Sequence, residues 1–255
     1  MSVYLTTARN FSASAENRIH SDEIAAQFGF EGALVPGAAV FGHMTHPLVD
    51  TLGPDWLAGW QASVRFLKPA YDGDELTVTH EIEGDGHTVR CHARGFLLAE
   101  LNTHPLAADD EPVAMGSGAP IARRPEIQWD NVNVGEPFPA WTWSPDAVQN
   151  AEFGAQVDED LACYGSGVLH PHGILGTANR TFMRRYVLPA WIHVGSVVKF
   201  RRLLRVGDRI EVRTVPKRKW RRKGHEFVDL GIACIVGGEV ATEIEHTSIF
   251  SIARR

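Results

Sequence analysis

Residues 63–78 read SVRFLKPAYDGDELTV, and residues 197–212 read VVKFRRLLRVGDRIEV. The two segments match without a gap at a constant offset of 134 residues. In each, a Gly-Asp pair separates two runs of alternating apolar residues, a pattern typical of a hairpin turn between strands. We therefore expect the chain to contain one structural unit twice. The matched pairs are Arg65–Lys199, Phe66–Phe200, Gly73–Gly207, Asp74–Asp208, Leu76–Ile210 and Val78–Val212.

A helix is predicted before each copy, and strands are predicted after it. In residues 37–52, apolar side chains recur at i, i+3, i+7 and i+11, and in residues 174–186 they recur every four residues, so each segment has one apolar helical face. Strand-like runs follow at 88–98, 226–236 and 239–252. Each unit is thus predicted to be α+β, with one long helix and a meander of antiparallel strands. The apolar helix positions are Phe41, Met44, Leu48, Leu52, Ile174, Ala178, Phe182 and Tyr186.

The length and charge of the chain agree with two units. A chain of 255 residues allows one large domain or two small ones. The net charge of −6 divides into −9 for residues 1–127 and +3 for residues 128–255. We place an N-terminal unit at 1–125, a linker at 126–138 and a C-terminal unit at 139–255.

Several functional classes are excluded by what the sequence lacks. It has no run of about 20 apolar residues, no signal-like N-terminus, and three cysteines without a CxxC spacing. We expect a cytoplasmic protein that does not enter a membrane. The histidine pairs His43/His46 and His170/His172 have no clear third ligand nearby, so no metal site is predicted. No GxSxG, Walker A or GxGxxG motif occurs.

Residues 16–37, ENRIHSDEIAAQFGFEGALVPG, resemble the MaoC-like family of (R)-specific enoyl-CoA hydratases and acyl dehydratases. That family has an Asp-x-Asn-Pro-x-His loop before its long helix. Residues 66–78, 170–180 and 191–200 resemble further segments of two-unit members of the family. The resemblance implies two tandem hotdog units, each a long central helix wrapped by a curved antiparallel sheet. It also implies that the two units pair within one chain, and it leaves a homodimer open.

The resemblance implies a catalytic role for three residues. His20 occupies the place of the family's histidine and would act as acid and base. Ala15 stands where the family has its aspartate, so Glu16, the next residue, is the candidate carboxylate. Gly37 would hold the thioester oxygen through its backbone N–H at the start of the helix. The alternatives are a capping role for His20, a solvated Glu16, and a Gly37 that only allows close packing.

The substrate implied is an acyl-CoA or an acyl carrier thioester, with coenzyme A as part of the substrate and no other cofactor. The basic run 217–223, around Trp220, would contact the phosphates of coenzyme A. Nucleic-acid binding is not expected, because the chain is acidic overall and the run is short. The predicted substrate-binding residues are Asn17, Val40, Phe41, Met44, His172, Arg221 and Arg222.

Two other functions remain open. Hotdog thioesterases carry a carboxylate on the central helix, and the only acid on the first helix is Asp50, near its far end. A catalytically degenerate acyl-CoA-binding or partner subunit would explain Ala15. The second unit departs further from the family pattern, since Tyr164 stands where its histidine would be. Its site is therefore expected to be degenerate.

Overall fold

The computed structural model describes residues 1–113 and 115–253. Within these ranges the chain forms ten strands and five α-helices, which confirms the α+β class. The strands are β1 (Ser2–Thr7), β2 (Trp60–Phe66), β3 (Glu75–Glu83), β4 (Gly86–Ala93), β5 (Phe96–Pro105), β6 (Trp141–Trp143), β7 (Ile192–Phe200), β8 (Ile210–Arg222), β9 (His225–Val236) and β10 (Glu239–Ser251). The helices are α1 (Asp22–Gln27), α2 (Gly37–Leu52), α3 (Ala147–Ala155), α4 (Ala162–Gly165) and α5 (Pro171–Arg185), and 3-10 turns lie at Arg18–His20, Pro54–Leu57 and Trp129–Asn131.

All the strands lie in one antiparallel sheet, in the order β1-β3-β4-β5-β2-β7-β10-β9-β8-β6. The five strands of residues 2–105 fill one half, and the five of residues 141–251 fill the other. Counted outward from the centre of the sheet, the strand order of the second half repeats that of the first. They meet where β2 pairs with β7, from Trp60–Phe200 to Arg65–Gly195. The pairing requires a glycine at position 195, because an added Cβ would lie 2.9 Å from the backbone oxygen of Val64.

The repeated Gly-Asp turns do not close hairpins, contrary to the prediction. Strands β2 and β3 are separated in the sheet by β4 and β5, and β7 and β8 are separated by β9 and β10. The turn geometry itself repeats: Gly73 and Gly207 have φ of 80° and 89°. In both turns the aspartate carboxylate accepts a backbone N–H three residues before it, at 2.8 Å for Asp74 and 2.9 Å for Asp208. Each turn therefore directs the chain across the sheet to a distant strand.

The two long helices lie where the sequence predicts them. Helix α2 begins at Gly37 and ends at Leu52, and α5 ends at Arg185, one residue before the last predicted apolar position. The helices meet at Gly42, where an added Cβ would lie 3.1 Å from the Cβ of His172. No helix in the described ranges has the length and apolar character of a membrane span.

One apolar core extends through both halves of the chain. The rings of Trp56 and Phe200 lie 5.2 Å apart within it, and both side chains are fully buried. Strands β9 and β10 confirm the runs predicted at 226–236 and 239–252. The helices and the sheet thus share a single core, and the cavity described below opens at the N-terminal end of α2.

Candidate functional site

A cavity of about 560 Å³ lies between the N-terminal end of α2 and the second half of the chain. The first half contributes lining residues from segments 17–20, 28–40 and 66–70. The second half contributes lining residues from 191–194, 223–225 and 249–253. The cavity brings together four of the predicted site residues, namely Asn17, His20, Gly37 and Val40.

A hydrogen bond to the backbone carbonyl of Leu34 fixes the orientation of the His20 ring. Its Nδ1 lies 2.6 Å from the carbonyl oxygen of Leu34, and a carbonyl can only accept, so Nδ1 carries the proton. The lone pair of the neutral ring is therefore on Nε2, which lies 3.3 Å from the side-chain nitrogen of Asn17. Burial lowers the pKa of His20, although the hydrogen bond to Leu34 opposes this shift. At neutral pH His20 is thus a neutral imidazole whose Nε2 can accept a proton.

Asn17 holds the His20 loop against the second half of the chain. Its side-chain oxygen accepts the N–H of Trp191 at 3.0 Å, and its side-chain nitrogen donates to the carbonyl of Trp191 at 3.0 Å. The same oxygen accepts the N–H of Ile19 at 3.3 Å. These bonds fix which way the amide faces, so its nitrogen is the atom presented to His20.

Gly37 is the first residue of α2 and follows Pro36. Among the described residues its N–H has no backbone acceptor, as expected for the first turn of a helix. An added Cβ at this position would lie 2.9 Å from Nδ1 of His193 and 3.2 Å from the ring of Phe66. Both residues line the cavity, so only glycine fits there without displacing its wall.

The structure does not place Glu16 in the cavity. Its carboxylate accepts two hydrogen bonds from Nη1 of Arg124, at 2.9 and 3.0 Å, and Arg124 also donates to the backbone carbonyl of Met183. This ion pair occupies the carboxylate, and Glu16 does not line the cavity that His20 lines. None of the described residues that line the cavity is an aspartate or a glutamate.

Phe41 and Met44 also lie elsewhere than predicted. Both are completely buried in the apolar core and neither lines the cavity. Val40, about one turn after Gly37, does line it. The other apolar lining residues include Leu34, in the segment before α2, and Phe66, the last residue of β2.

The second half has a glycine at the start of its long helix, but no open space faces it. An added Cβ on Gly173 would overlap the ring of Phe153, a residue of α3. His172 is buried beside that ring, with Nδ1 at 3.3 Å from the backbone oxygen of Phe153, and it does not line the cavity. The hydroxyl of Tyr164 is buried without a partner among the described residues.

The basic run reaches the cavity by a different residue than predicted. Arg221 is paired with Glu226 at 2.8 Å and lies over the ring of Trp129. Arg221 and Arg222 do not line the cavity, whereas Lys223 does. Lys223 occupies the turn between β8 and β9 with φ of 51°. Lys68 and His225 line the same cavity, so its basic groups come from both halves of the chain.

Four side chains, beginning at the cavity and continuing into the sheet, are connected by hydrogen bonds. Nε2 of His193 lies 2.9 Å from Oγ of Ser196, which lies 3.0 Å from Nδ1 of His246. Nε2 of His246 lies 2.8 Å from Oγ of Ser248. Burial lowers the pKa of His246 to about 3. Burial of His193, together with its proximity to His246, holds the pKa of His193 well below its usual value. Sequence reasoning named none of these four as site residues, although His193 and Ser196 lie in the segment 191–200 that resembles the family.

A buried ion pair joins α2 to the second half away from the cavity. Nδ1 of His46 lies 2.9 Å from Oε1 of Glu159, which also accepts the N–H groups of Asp160 and Leu161 at 2.9 Å. Burial raises the pKa of Glu159, but hydrogen bonding to His170 and His46 outweighs it and holds the pKa well below its usual value. The ligand-type atoms of His46, Glu159 and Asp160 lie within 4.8 Å of one another. Sequence reasoning identified only the histidines of this cluster.

Comparisons with known proteins identify the fold. No family model and no curated protein matches the sequence. A solved MaoC-like dehydratase gives a TM-score of 0.60 at 12% identity, over 97% of each chain. A protein of Mycobacterium tuberculosis that is described as having a double hotdog fold gives 0.61 at 14% identity, over 97% of this chain and 95% of the other.

The chain has the hotdog fold. A protein of Chloroflexus aurantiacus J-10-fl, provisionally described as a MaoC domain dehydratase, is also similar, with a TM-score of 0.66 at 12% identity. That match covers 99% of this chain and 95% of the other. The hotdog fold predicted from the sequence is thereby confirmed.

Proposed function

We propose that this hotdog protein is an acyl-thioester hydratase or dehydratase with one active cavity. The proposal takes residues 1–125 and 139–255 as two hotdog units, joined by 126–138, that pair within the chain. The observation that carries it is the position of His20 and Gly37 on one cavity. The basic Nε2 of His20 and the free N–H at the start of α2 are the two groups that the reaction requires.

His20 can serve as both base and acid in the hydration of a 2-enoyl thioester. Once a water replaces the Asn17 N–H at its lone pair, Nε2 removes a proton from that water as the water oxygen bonds to C3 of the substrate. The electron pair of the C2–C3 double bond then moves toward the thioester oxygen, which gains negative charge. The protonated His20 returns the proton to C2, so one water is added and the ring is again neutral. Dehydration of a 3-hydroxyacyl thioester is the reverse.

Gly37 would stabilise the charge on the thioester oxygen. Its N–H lies at the positive end of the helix dipole and has no backbone acceptor among the described residues. A donor that is already in place costs no reorganisation when charge develops. Glycine also lets the thioester approach the backbone more closely than any other residue would.

The walls of the cavity suit an acyl chain attached to coenzyme A. Its lining is mostly apolar near Val40 and Phe66, where the acyl chain would lie. Lys68 and Lys223 on the same cavity would attract the phosphates of coenzyme A or of an acyl carrier group. No other cofactor is part of the proposal, and the expected compartment is the cytoplasm.

The purified chain should be tested with crotonyl-CoA and with 3-hydroxybutanoyl-CoA. Hydration removes the absorbance of the conjugated thioester, and dehydration restores it. The His20→Ala variant should be at least about 100-fold slower, because general acid–base catalysis typically contributes 10²–10⁴-fold. His104→Ala, which changes an exposed histidine of β5, should retain full activity. The absence of turnover with enoyl-CoA of any chain length would contradict the proposal.

One observation favours a second candidate, an acyl-CoA-binding protein without turnover. The described lining of the cavity holds no carboxylate, since Ala15 replaces the family's aspartate and Glu16 is paired with Arg124. Tight binding of butanoyl-CoA without hydration of crotonyl-CoA would support it. Hydration that appears in the Ala15→Asp variant would support it more strongly. The thioesterase alternative gains nothing from the cavity, because Asp50 is exposed and does not line it.

A further inference from the structure

We propose that His193, from the second half of the chain, donates a hydrogen bond from Nδ1 to the same thioester oxygen that Gly37 binds. The proposal rests on the proposed function only for the identity of the ligand. It makes the cavity a composite site: the acid–base group comes from the first half, and one of the two donors comes from the second. It also assigns a role to a group that the hydration steps above leave unused.

The first argument is that Nδ1 of His193 is a buried polar atom with nothing to bind. It has no hydrogen-bond partner among the described residues, although the ring lines the cavity. A buried polar group left unpaired destabilises the folded protein, so native structures seldom keep one without a use. The other nitrogen of the ring is satisfied by Ser196.

The second argument is the distance between the two donors. A Cβ built on Gly37 would lie 2.9 Å from Nδ1 of His193. A Cβ lies about 2.5 Å from its own backbone nitrogen by standard geometry, so the two nitrogen atoms are within about 5.5 Å of each other. Two donors that share one oxygen at about 2.9 Å each can be separated by up to about 5.8 Å. A single thioester oxygen can therefore reach both.

The third argument fixes the tautomer of His193. Among the described residues the Ser248 hydroxyl has one partner, Nε2 of His246, and Ser248 is fully buried, so its proton must point there. His246 then carries its proton on Nδ1 and donates to Oγ of Ser196. The hydroxyl proton of Ser196 is left to point at Nε2 of His193. The remaining proton of His193 is consequently on Nδ1, beside Gly37.

The fourth argument is that His193 stays neutral. Its ring packs against the aromatic ring of Phe66, the neutral His246 and the Ser196 hydroxyl, and the backbone of Gly195 is the one neighbour that favours the charged form. Burial and His246 hold the pKa of His193 well below its usual value. A neutral imidazole donates a hydrogen bond to a developing oxyanion without giving up its proton. The atoms and protons of the hydration steps therefore balance without any transfer through His193.

Three substitutions separate the two nitrogen positions of His193. His193→Asn keeps an amide donor near the place of Nδ1, His193→Gln keeps one near the place of Nε2, and His193→Phe removes both. We expect kcat for crotonyl-CoA to fall about 10²–10³-fold in the Gln and Phe variants, the usual loss for one oxyanion donor, and to stay within about 10-fold in the Asn variant. A Phe variant within threefold of the unmodified chain, or a Gln variant as active as the Asn variant, would overturn the proposal. Equal thermal denaturation midpoints would show that all three variants fold.

A second measurement needs binding but no turnover. Infrared difference spectra of bound [1-¹³C]butanoyl-CoA report the strength of the hydrogen bonds to the thioester oxygen. We expect the carbonyl stretching frequency to rise in His193→Phe and to stay unchanged in His20→Phe. An unchanged frequency in His193→Phe would overturn the proposal. Because saturated butanoyl-CoA cannot be hydrated, this result stands whether or not the chain is a hydratase. A failure of the His193 proposal can therefore be distinguished from a failure of the proposed function.

Discussion

Asn17 and Trp191 are joined by two hydrogen bonds of 3.0 Å, although 174 residues separate them in the chain. One side-chain amide satisfies both the N–H and the carbonyl of Trp191, as a neighbouring strand would. Trp191 is the residue before β7 and lines the same cavity as His20. The loop that carries the acid–base candidate is therefore positioned by the half of the chain that carries His193.

Replacing Asn17 by alanine should destabilise the protein. The change leaves the buried N–H and carbonyl of Trp191 without partners, at about 1–3 kcal/mol each, so we expect the free energy of unfolding to fall by about 2–6 kcal/mol. Urea denaturation measures this. Asn133→Ala is the matched control, because the Asn133 side chain is exposed and, among the described residues, hydrogen-bonds only to Glu136. A loss below about 1 kcal/mol for Asn17→Ala would show that the two bonds contribute little.

Alanine at Gly37 and at Gly176 should have opposite effects on stability. At Gly37 the new Cβ would press against Nδ1 of His193 and the ring of Phe66, and we expect a loss of about 1–3 kcal/mol, as for other overpacked sites. At Gly176, in the middle of α5, nothing lies within 4 Å of the added Cβ. There we expect a gain of up to about 1 kcal/mol from helix propensity. Thermal denaturation compares them, and equal effects would refute the close contact with His193.

Without the Ser196 hydroxyl, the proton of the neutral His193 ring should no longer be confined to Nδ1. Without a donor to Nε2, the proton of the ring is no longer held on Nδ1, and the donor facing Gly37 is partly lost. Nitrogen-15 NMR of the imidazole ring should show a mixture of tautomers in Ser196→Ala and a single Nδ1–H form in the unmodified chain. We also expect kcat to fall, but by less than in His193→Phe. The exposed Ser166 provides the control substitution, Ser166→Ala, which should leave the spectrum of His193 unchanged.

The ion pair of His46 and Glu159 should make stability depend on pH. The pKa of Glu159 is lowered in the folded protein, so its contribution is present above the unfolded value of about 4.3 and is lost as the pH falls through the folded value. Burial lowers the pKa of His46, but Glu159 outweighs this and raises it, so its contribution is present below about 6.5 and is lost as the pH rises through the folded value.

The Glu159→Gln variant tests the direction of this pH dependence. The difference in unfolding free energy from the unmodified chain should be largest between about pH 4.3 and 6.5 and should shrink as the pH rises through the raised pKa of folded His46. Urea denaturation at pH 5.5, 7 and 9 measures it. Glu152→Gln changes an exposed glutamate of α3 and should show no such trend. A difference that grows toward pH 9 would contradict the charged pair.

Local patterns in the sequence predicted local structure well. The spacing of Phe41, Met44 and Leu48 located α2, because a helix buries the face that its own period defines. The same reasoning failed for the Gly73 turn. The residues of a turn fix its geometry, but the neighbours of a strand are decided by the whole sheet. Strand β1 and helix α3 were missed because both are short and carry no strong period.

Only those residues of the candidate site that belong to one short segment of the sequence could be predicted. His20 and Gly37 belong to one stretch of the sequence, and the structure brings both to the cavity. Glu16 belongs to the same stretch, but Arg124, 108 residues later, binds its carboxylate. His193 comes to Gly37 only through the pairing of β2 with β7. Contacts of this kind depend on the tertiary fold, and no spacing within one segment reveals them.

The pairing of β2 with β7 has a consequence for a broken chain. A proteolytic cut between residues 106 and 140 would leave two fragments that still share the ladder from Trp60–Phe200 to Arg65–Gly195 and the bonds of Asn17 to Trp191. Such a nicked protein should stay associated and melt in one transition. Either fragment expressed alone would expose a long strand edge and half of a cavity, so the separated halves should regain ligand binding only when mixed.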